Sequence, residues 1–496
     1  KAAQNFAMNI EGMPRYDYVF VIIEENESLS SLKNNASLPY LNAFLNNGSQ
    51  FYNYYSTGNP SEPNYLALGS ADDWGITGDE PSNLPYPSVT GVRANMSTSV
   101  DAKGLTWRHY EGSLWPSPAG DMSNPGASSW NSSTGGAFFD NPSNSSIKGN
   151  DGATYAGSLV AKKHNTVVWF ADVTAQPDFL SKERSISGAG TDVDGNPIPY
   201  MFPNNTASGS NNWTSTANWD AALQNYATAN NITSWWTGGT KPWTQDQFLQ
   251  DLKAGDVANY NVIVPDQDDD MHNIGTQPRA DYWANNVIAK IQSSSIWKDP
   301  TKRVAIVVTF DEGESASTAC CGWNPKRSGD GLAQPLAVDA NGGVTVTSGV
   351  SGIGAHTGTP YSVTYSTANH GHGVTMFGVQ TNQQVLNNAP HGHYDTDYYS
   401  HFSFVRTMQD ILGLADPGQP GTYMNRSKYT ENFIEQNATL LPEFANSANP
   451  HFDGVRAMNH VYQFPAGVTR VNAAGAPPLP VTTGPDADQV NLWAVK

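Results

Sequence analysis

The stretch VFVIIEENES, Val19–Ser28, decides the fold. Five apolar residues, most of them β-branched, run without a break into Glu24, Glu25 and Asn26. An unbroken apolar run of this kind reads as a strand covered on both faces, the habit of parallel sheets. In open α/β sheets the residues just past a strand's carboxyl end line the ligand crevice. A buried strand that ends on two carboxylates and an amide therefore points to a site at that edge.

The same pattern recurs along the chain. YVFVII (18–23), TVVWFADV (166–173), NVIVP (261–265), VAIVVTF (304–310) and VTMFGV (374–379) all read as strands. Helical spacing separates them: DQFLQDL before the third run, YWANNVIAKIQSSSIW before the fourth, and HFSFVRTMQDILGL, stopped by Gly413, near the end of the alternation. This alternation predicts a doubly wound, mostly parallel α/β sheet flanked by helices. The interval of about 110–245, dense in Ser, Asn, Gly and Trp, reads as a long insertion. Around 331–350 a hairpin is expected to turn at Asn341-Gly342. Beyond residue 415 the periodicity is lost. The expected organisation is thus one catalytic domain over 1–415 and a C-terminal extension over 416–496 packed on it.

Composition narrows the function. Lys and Arg total 26 against 45 Asp and Glu, a net charge of −19, which argues against nucleic acid or an anionic membrane as a standing partner. No run of about 18 apolar residues suggests a membrane span. The only cysteines, Cys320 and Cys321, are adjacent, so neither a disulfide framework nor a cysteine zinc site is available. The wealth of Asn, Ser, Thr, Gly, Trp and Tyr, with few Lys, points to a secreted or periplasmic chain whose leader has been removed.

Three strand ends are acidic: Glu24, Glu25 and Asn26; DQDDDMH, Asp266–His272; and Asp311, Glu312 and Glu314 in TFDEGE. Parallel strands bring such ends together, and carboxylates so gathered repel unless a proton or cation sits among them. A divalent metal site follows as an expectation, although a lone acid after a strand also serves as a helix cap and DQDDD alone also reads as a solvated loop. In GNPSEPNYLALGS, 58–70, Pro60 and Pro63 bracket Ser61 ahead of a helix expected from about Tyr65. There Ser61 is either a cap or a nucleophile held at an anion-binding helix terminus. His272 follows the second acidic end, and His370, His372, His391, His393 and His401 crowd a stretch that reads as loop. His109, in TWRHYEG, is a further candidate.

Together these segments resemble the phosphoesterase family of bacterial phospholipases C and secreted acid phosphatases, in the alkaline-phosphatase-like superfamily. The resemblance rests on VIIEENES, NPSEPNY, VPDQDDDMH, VTFDEGE and YSHFSFVRTMQDILGL, in order, from about residue 16 to 415. It implies one divalent metal ion (calcium, magnesium, manganese, iron or zinc) held by Glu25, Asn26, Ser61, Asp311 and Glu312. It implies Ser61 as nucleophile, forming a phosphoseryl enzyme, and His272 as the group that binds phosphate oxygens or protonates the leaving group. His370, His372 and His109 are expected near substrate. The chain departs from its relatives at Asn59, where many have His, and at acidic Glu62; Glu24 is left without a role.

The expected function is hydrolysis of phosphate monoesters, as in acid phosphatases, with small phosphate esters or phospholipid headgroups as substrates. A phospholipase C acting on phosphodiesters shares the chemistry, with Trp213, Trp219, Trp235, Trp236 and Trp243 available as a lipid-docking surface. An inactive relative that binds calcium and glycans is the alternative from another class.

Overall fold

The computed structural model describes residues 13–56, 61–72, 93–112, 162–188, 190–198, 246–266, 269–272, 277–313, 374–382 and 393–416. Short pieces at 114, 147–148, 154–155, 336–338, 344–346, 362–363, 422–424 and 457–458 complete it.

The opening apolar run forms β1 (Tyr18–Glu24), in the middle of an eight-stranded sheet. In chain order the other members are β2 (Ser49–Tyr55), β3 (Trp107–Gly112), β6 (Glu183–Ile186), β7 (Tyr260–Val264), β8 (Val304–Phe310), β12 (Val374–Thr381) and β13 (His393–Ser400). Outside this sheet, β4 (Ile147–Lys148) pairs with β5 (Thr154–Tyr155). A separate antiparallel set joins β9 (Leu336–Val338), β10 (Val344–Val346) and β11 (Ser362–Val363). Its antiparallel β9–β10 pairing flanks the expected turn at Asn341-Gly342, which itself lies outside the described residues.

The order in the large sheet is β13-β2-β12-β8-β1-β7-β3-β6. β1 runs parallel to β7 and β8, β3 parallel to β7 and β6, and β13 parallel to β2. β12 alone runs the other way, antiparallel to β2 and β8. The sheet is therefore mixed and mostly parallel, with the carboxyl ends of its remaining strands along one edge.

Side chains of a strand alternate between the faces, and β1 shows why its run is uninterrupted. Val19, Val21 and Ile23 enter one core, with the helices Ser61–Ser70, Met96–Ala102 and His401–Leu412. Phe20 and Ile22 enter the other, with the helices Pro39–Asn47, Gln247–Ala254 and Gln277–Ser293. Both faces are covered, so every β1 position from Val19 onward is buried. Each such Val or Ile contributes about 1.5–3 kcal/mol relative to exposure.

The helix His401–Leu412 starts at Ser400, whose hydroxyl accepts from Phe402 N at 3.1 Å within a capping box completed by Ser403. It stops at Gly413, which adopts φ 70°, a left-handed conformation that favours glycine.

Several expectations change. TVVWFADV (166–173) is not a strand: it turns and enters the short helix Ala171–Thr174, with Val167, Val168, Trp169 and Phe170 buried in the first core. An apolar run covered on all sides satisfies either geometry. Part of the interval expected as insertion, 110–245, is framework, because β3 ends in it and β6 closes the sheet from it. The histidine-rich stretch read as loop carries β13 over His393–Ser400. The expected helix through Ile296 breaks at Ser294, which caps a separate turn, Ser295–Lys298. No helix among the described residues is long and apolar enough to cross a membrane.

Candidate active site

β1 delivers Glu24 and Glu25 to the carboxyl edge, both fully buried. The chain then bends sharply. Asn26 adopts φ 48°, a left-handed conformation that asparagine tolerates better than most residues. The bend aims Asn26 N at Asp311 Oδ1, 3.1 Å away on the turn after β8. Asp311 Oδ1 also accepts from Glu312 N at 2.6 Å. One oxygen of Asp311 is thereby fixed by two backbone donors, while Oδ2 is buried without a hydrogen-bond partner, as is Asn26 Oδ1.

β7 brings the acidic loop. Glu25 N donates to Asp270 O at 2.7 Å. Asp266, Asp269 and Asp270 are 2%, 1% and 0% exposed, so the reading of DQDDD as a solvated loop does not hold. Arg279 holds the loop inward, its Nε 2.6 Å from Asp269 Oδ1. Asp270 repeats the Asp311 arrangement: Oδ1 accepts from His272 N at 3.0 Å and Oδ2 is left over.

Ser61 opens the helix Ser61–Ser70, four residues earlier than expected, so its hydroxyl stands at the helix N-terminus. Ser61 is 1% exposed, and its Oγ donates to Glu25 Oε2 at 3.2 Å. One turn on, Asn64 Nδ2 reaches Glu312 Oε2 at 3.2 Å. The structure thus brings Glu25, Asn26, Ser61, Asp311 and Glu312 to one place, from three elements far apart in sequence.

A residue that sequence reasoning missed stands beside them. His164 is 2% exposed; Nε2 lies 3.1 Å from Glu25 Oε1 and Nδ1 lies 3.7 Å from Asp270 Oδ2. Its ring stacks on Tyr65 of the Ser61 helix, with centroids 5.2 Å apart and planes 12° from parallel. Gly69 lets the His164 segment close on that helix, because a Cβ there would meet Thr166 O at 2.3 Å. Nothing in KKHN distinguishes this histidine by pattern. His401 is a second unassigned contributor, bonded through Nε2 to Asp311 O at 2.5 Å and through Nδ1 to Tyr54 OH at 2.8 Å.

His272 is exposed at the rim of the acidic loop. His109 does not join this group; it lies on β3 with Glu111 and Glu183. Glu24 falls on the opposite face from Ser61, buried near Asp270, Asp269 and Asp281. His370, His372, His391, Glu314, Asn59, the five tryptophans of the proposed lipid surface, Cys320 and Cys321 lie outside the described residues.

The electrostatics are those of a site short of positive charge. Burial, then the neighbouring charges of Asp311 and Asp270, pushes the Glu25 carboxyl well up, against some relief from Lys163. Burial likewise raises Asp270 and Asp311, the latter opposed by the Asn26 N–H. Burial, helped by Lys163 and His272, keeps His164 neutral. Carboxylates, an amide oxygen and a hydroxyl form an all-oxygen donor set of the kind hard divalent cations take. The orphaned, buried Asn26 Oδ1 and Asp311 Oδ2 are the atoms such an ion would satisfy, so the residues fit a metal.

A family model described as the Phosphoesterase family matches residues 4–415. A phosphatidylinositol-3-phosphatase of Mycobacterium tuberculosis is 27% identical over 109 residues, 22% of this chain and 35% of that protein. A probable acid phosphatase of Kluyveromyces lactis is 26% identical over 193 residues, 38% of each. The chain therefore matches little more than a third of either relative's length. Among solved structures, an alkaline phosphatase superfamily protein from Vibrio parahaemolyticus overlaps 81% of this chain and 68% of its own, at 11% identity and a TM-score of 0.34. The lipoteichoic acid synthase LtaP of Listeria monocytogenes overlaps 82% and 77%, at 9% identity and a TM-score of 0.37. With the family model spanning the large sheet and every strand end described above, the chain belongs to the phosphoesterase family.

Proposed function

We propose that the protein hydrolyses phosphate monoesters with Ser61 as nucleophile, at a site where Glu25, Asn26, Ser61, Asp311 and Glu312 hold one divalent metal ion. The observation that carries this reading is the Ser61 hydroxyl, buried at a helix N-terminus and bonded to Glu25 at 3.2 Å. Bound there, the ion supplies Lewis-acid stabilisation of a phosphoryl oxygen and of the serine alkoxide.

The chain's own groups do the rest. Glu25 takes the Ser61 proton along the hydrogen bond already in place. Ser61 Oγ forms the new bond to phosphorus, and the bond to the leaving alkoxide breaks in line with it. His272, at the exposed rim, returns a proton to the leaving oxygen. Backbone N–H groups of the first helical turn face the phosphoryl oxygens, although Pro63 removes one of them. Water then attacks the phosphoserine and releases inorganic phosphate with Ser61 restored. His164, neutral and so with a single N–H to donate, lies 3.1 Å from Glu25 and 3.7 Å from Asp270 and can orient one of these two carboxylates at a time.

Both relatives carry names of monoester phosphatases, which supports monoesters over phosphodiesters. Rates on p-nitrophenyl phosphate and p-nitrophenylphosphorylcholine separate the two. Turnover of the first is expected; activity confined to the second would replace the monoesterase reading with a phospholipase C.

A further inference from the structure

Two strands from β1, three titratable side chains meet without any role in the site above. β3 and β6 run parallel with His109 directly opposite Glu183 and Glu111 opposite Ser185. Alternation puts His109, Glu111 and Glu183 on one face, beside Asn165, the neighbour of His164. They are 0%, 1% and 1% exposed. At about 4.8 Å per strand, β3 stands about 10 Å across the sheet from β1, and its register sets the cluster two to four residues short of Glu25 along the strands.

His109 Nδ1 lies 3.4 Å from Glu111 Oε1 and 3.6 Å from Glu183 Oε2, and one ligand atom from each residue lies within 4.8 Å of the other two. Neither nitrogen of His109 has a hydrogen-bond partner, and Glu183 Oε1 has none. Asn165 Nδ2 donates to Glu111 Oε1 at 2.6 Å and reaches Glu183 Oε2 at 3.4 Å, while its Oδ1 accepts from Val167 N and Val168 N. The nearby arginines are engaged elsewhere: Arg184 with Asp251, and Arg108 with Asp251 and Asp256. Among the described residues no Lys or Arg pairs with Glu111 or Glu183.

Two carboxyls buried together require a proton or a cation between them. Burial raises Glu111 to about 8 and Glu183 well above its ordinary value, and lowers His109 to about 3. A shared proton serves the carboxyls but leaves the imidazole lone pair unused. A divalent ion serves all three, because one nitrogen and two carboxylates neutralise it. Ligand atoms about 2.0–2.2 Å from a tetrahedral ion stand about 3.3–3.6 Å apart, which matches the two separations from His109 Nδ1.

We propose that His109, Glu111 and Glu183 form a divalent-cation site of the imidazole-and-carboxylate kind that takes zinc, manganese or iron(II), separate from the candidate active site. The ion ties the sheet-edge strand β6 to β3 and, through Asn165, steadies the segment that carries His164. The site stands whether or not Ser61 is the nucleophile.

The test is metal stoichiometry on the purified full chain, loaded with Zn²⁺ or Mn²⁺, desalted and measured by inductively coupled plasma mass spectrometry. His109→Gln and Glu183→Gln, which preserve side-chain bulk, should each bind one equivalent fewer than wild type. Asp311→Asn, at the candidate active site, should keep that equivalent. Should either glutamine variant fail to fold, anomalous diffraction from wild-type crystals soaked in Zn²⁺ replaces it, with a peak expected between His109 Nδ1 and the two carboxyls. Unchanged stoichiometry in both variants, or an anomalous map with no peak at the cluster, would overturn the proposal and leave a proton-sharing carboxyl pair.

Discussion

Replacing His401 by glutamine should change how stability depends on pH, because the histidine is buried, neutral and bonded at both nitrogens. A carbonyl oxygen can only accept, so the 2.5 Å contact with Asp311 O places the proton on Nε2 and leaves Nδ1 to accept from Tyr54 OH at 2.8 Å. Burial lowers its pKa from 6.5 to about 4. As pH falls from about 6.5 to about 4, the unfolded chain takes up this proton before the folded one does. Stability is lost across that window, by about 3 kcal/mol for this group at about 1.36 kcal/mol per pH unit. The glutamine amide can still donate to Asp311 O but does not titrate. At pH 7.5 the variant should be about 1–2 kcal/mol less stable than wild type, for the lost Tyr54 bond. The gap should close as pH falls and reverse near pH 5. Urea denaturation at pH 7.5, 6.5, 5.5 and 4.5, followed by tryptophan fluorescence and by circular dichroism, measures it. All other titrating groups are common to both proteins and cancel. Parallel stability curves over the whole range would refute the assignment of His401 as a buried neutral histidine.

Two further outcomes follow from the packing around the site. Gly69→Ala would place a Cβ 2.3 Å from Thr166 O, so the helix and the His164 segment must separate; thermal unfolding should show a loss of about 1–3 kcal/mol, with a fall in kcat. Asp281 reaches across from the helix Gln277–Ser293 to accept from Leu41 N at 2.6 Å and Tyr40 N at 3.0 Å, covering the N-terminus of Pro39–Asn47. Asp281→Ala should cost about 2 kcal/mol or more in denaturation while leaving KM unchanged.

How much of this was legible in the sequence depends on whether one periodicity had one meaning. β1, β7, β8 and β12 were readable because both faces of each are covered by apolar cores, so their runs are nearly unbroken. β3 was not: WRHYEG sets Arg108, His109 and Glu111 among Trp107 and Tyr110, and its buried His109 and Glu111 look like solvated positions until Asn165 and Glu183 are seen to meet them. β2 and β13, rich in Tyr, Asn and Asp, were hidden for a similar reason. The ligand candidates Glu25, Asn26, Asp311 and Glu312 could be found because strand ends share one edge. His164 could not, because its position comes from a buried connection without strand or helix period. Glu24, which the family resemblance leaves without a role, falls one residue short of the bend and so faces the other core.

The proposed mechanism turns on Ser61 carrying the phosphoryl group. Acid-quenching the protein during turnover of p-nitrophenyl phosphate and mapping the modified peptide by mass spectrometry tests it most directly. Phosphate is expected on Ser61 in the wild-type protein, with neither phosphopeptide nor turnover in Ser61→Ala. Undiminished hydrolysis by Ser61→Ala, or phosphate trapped on another residue, would contradict it.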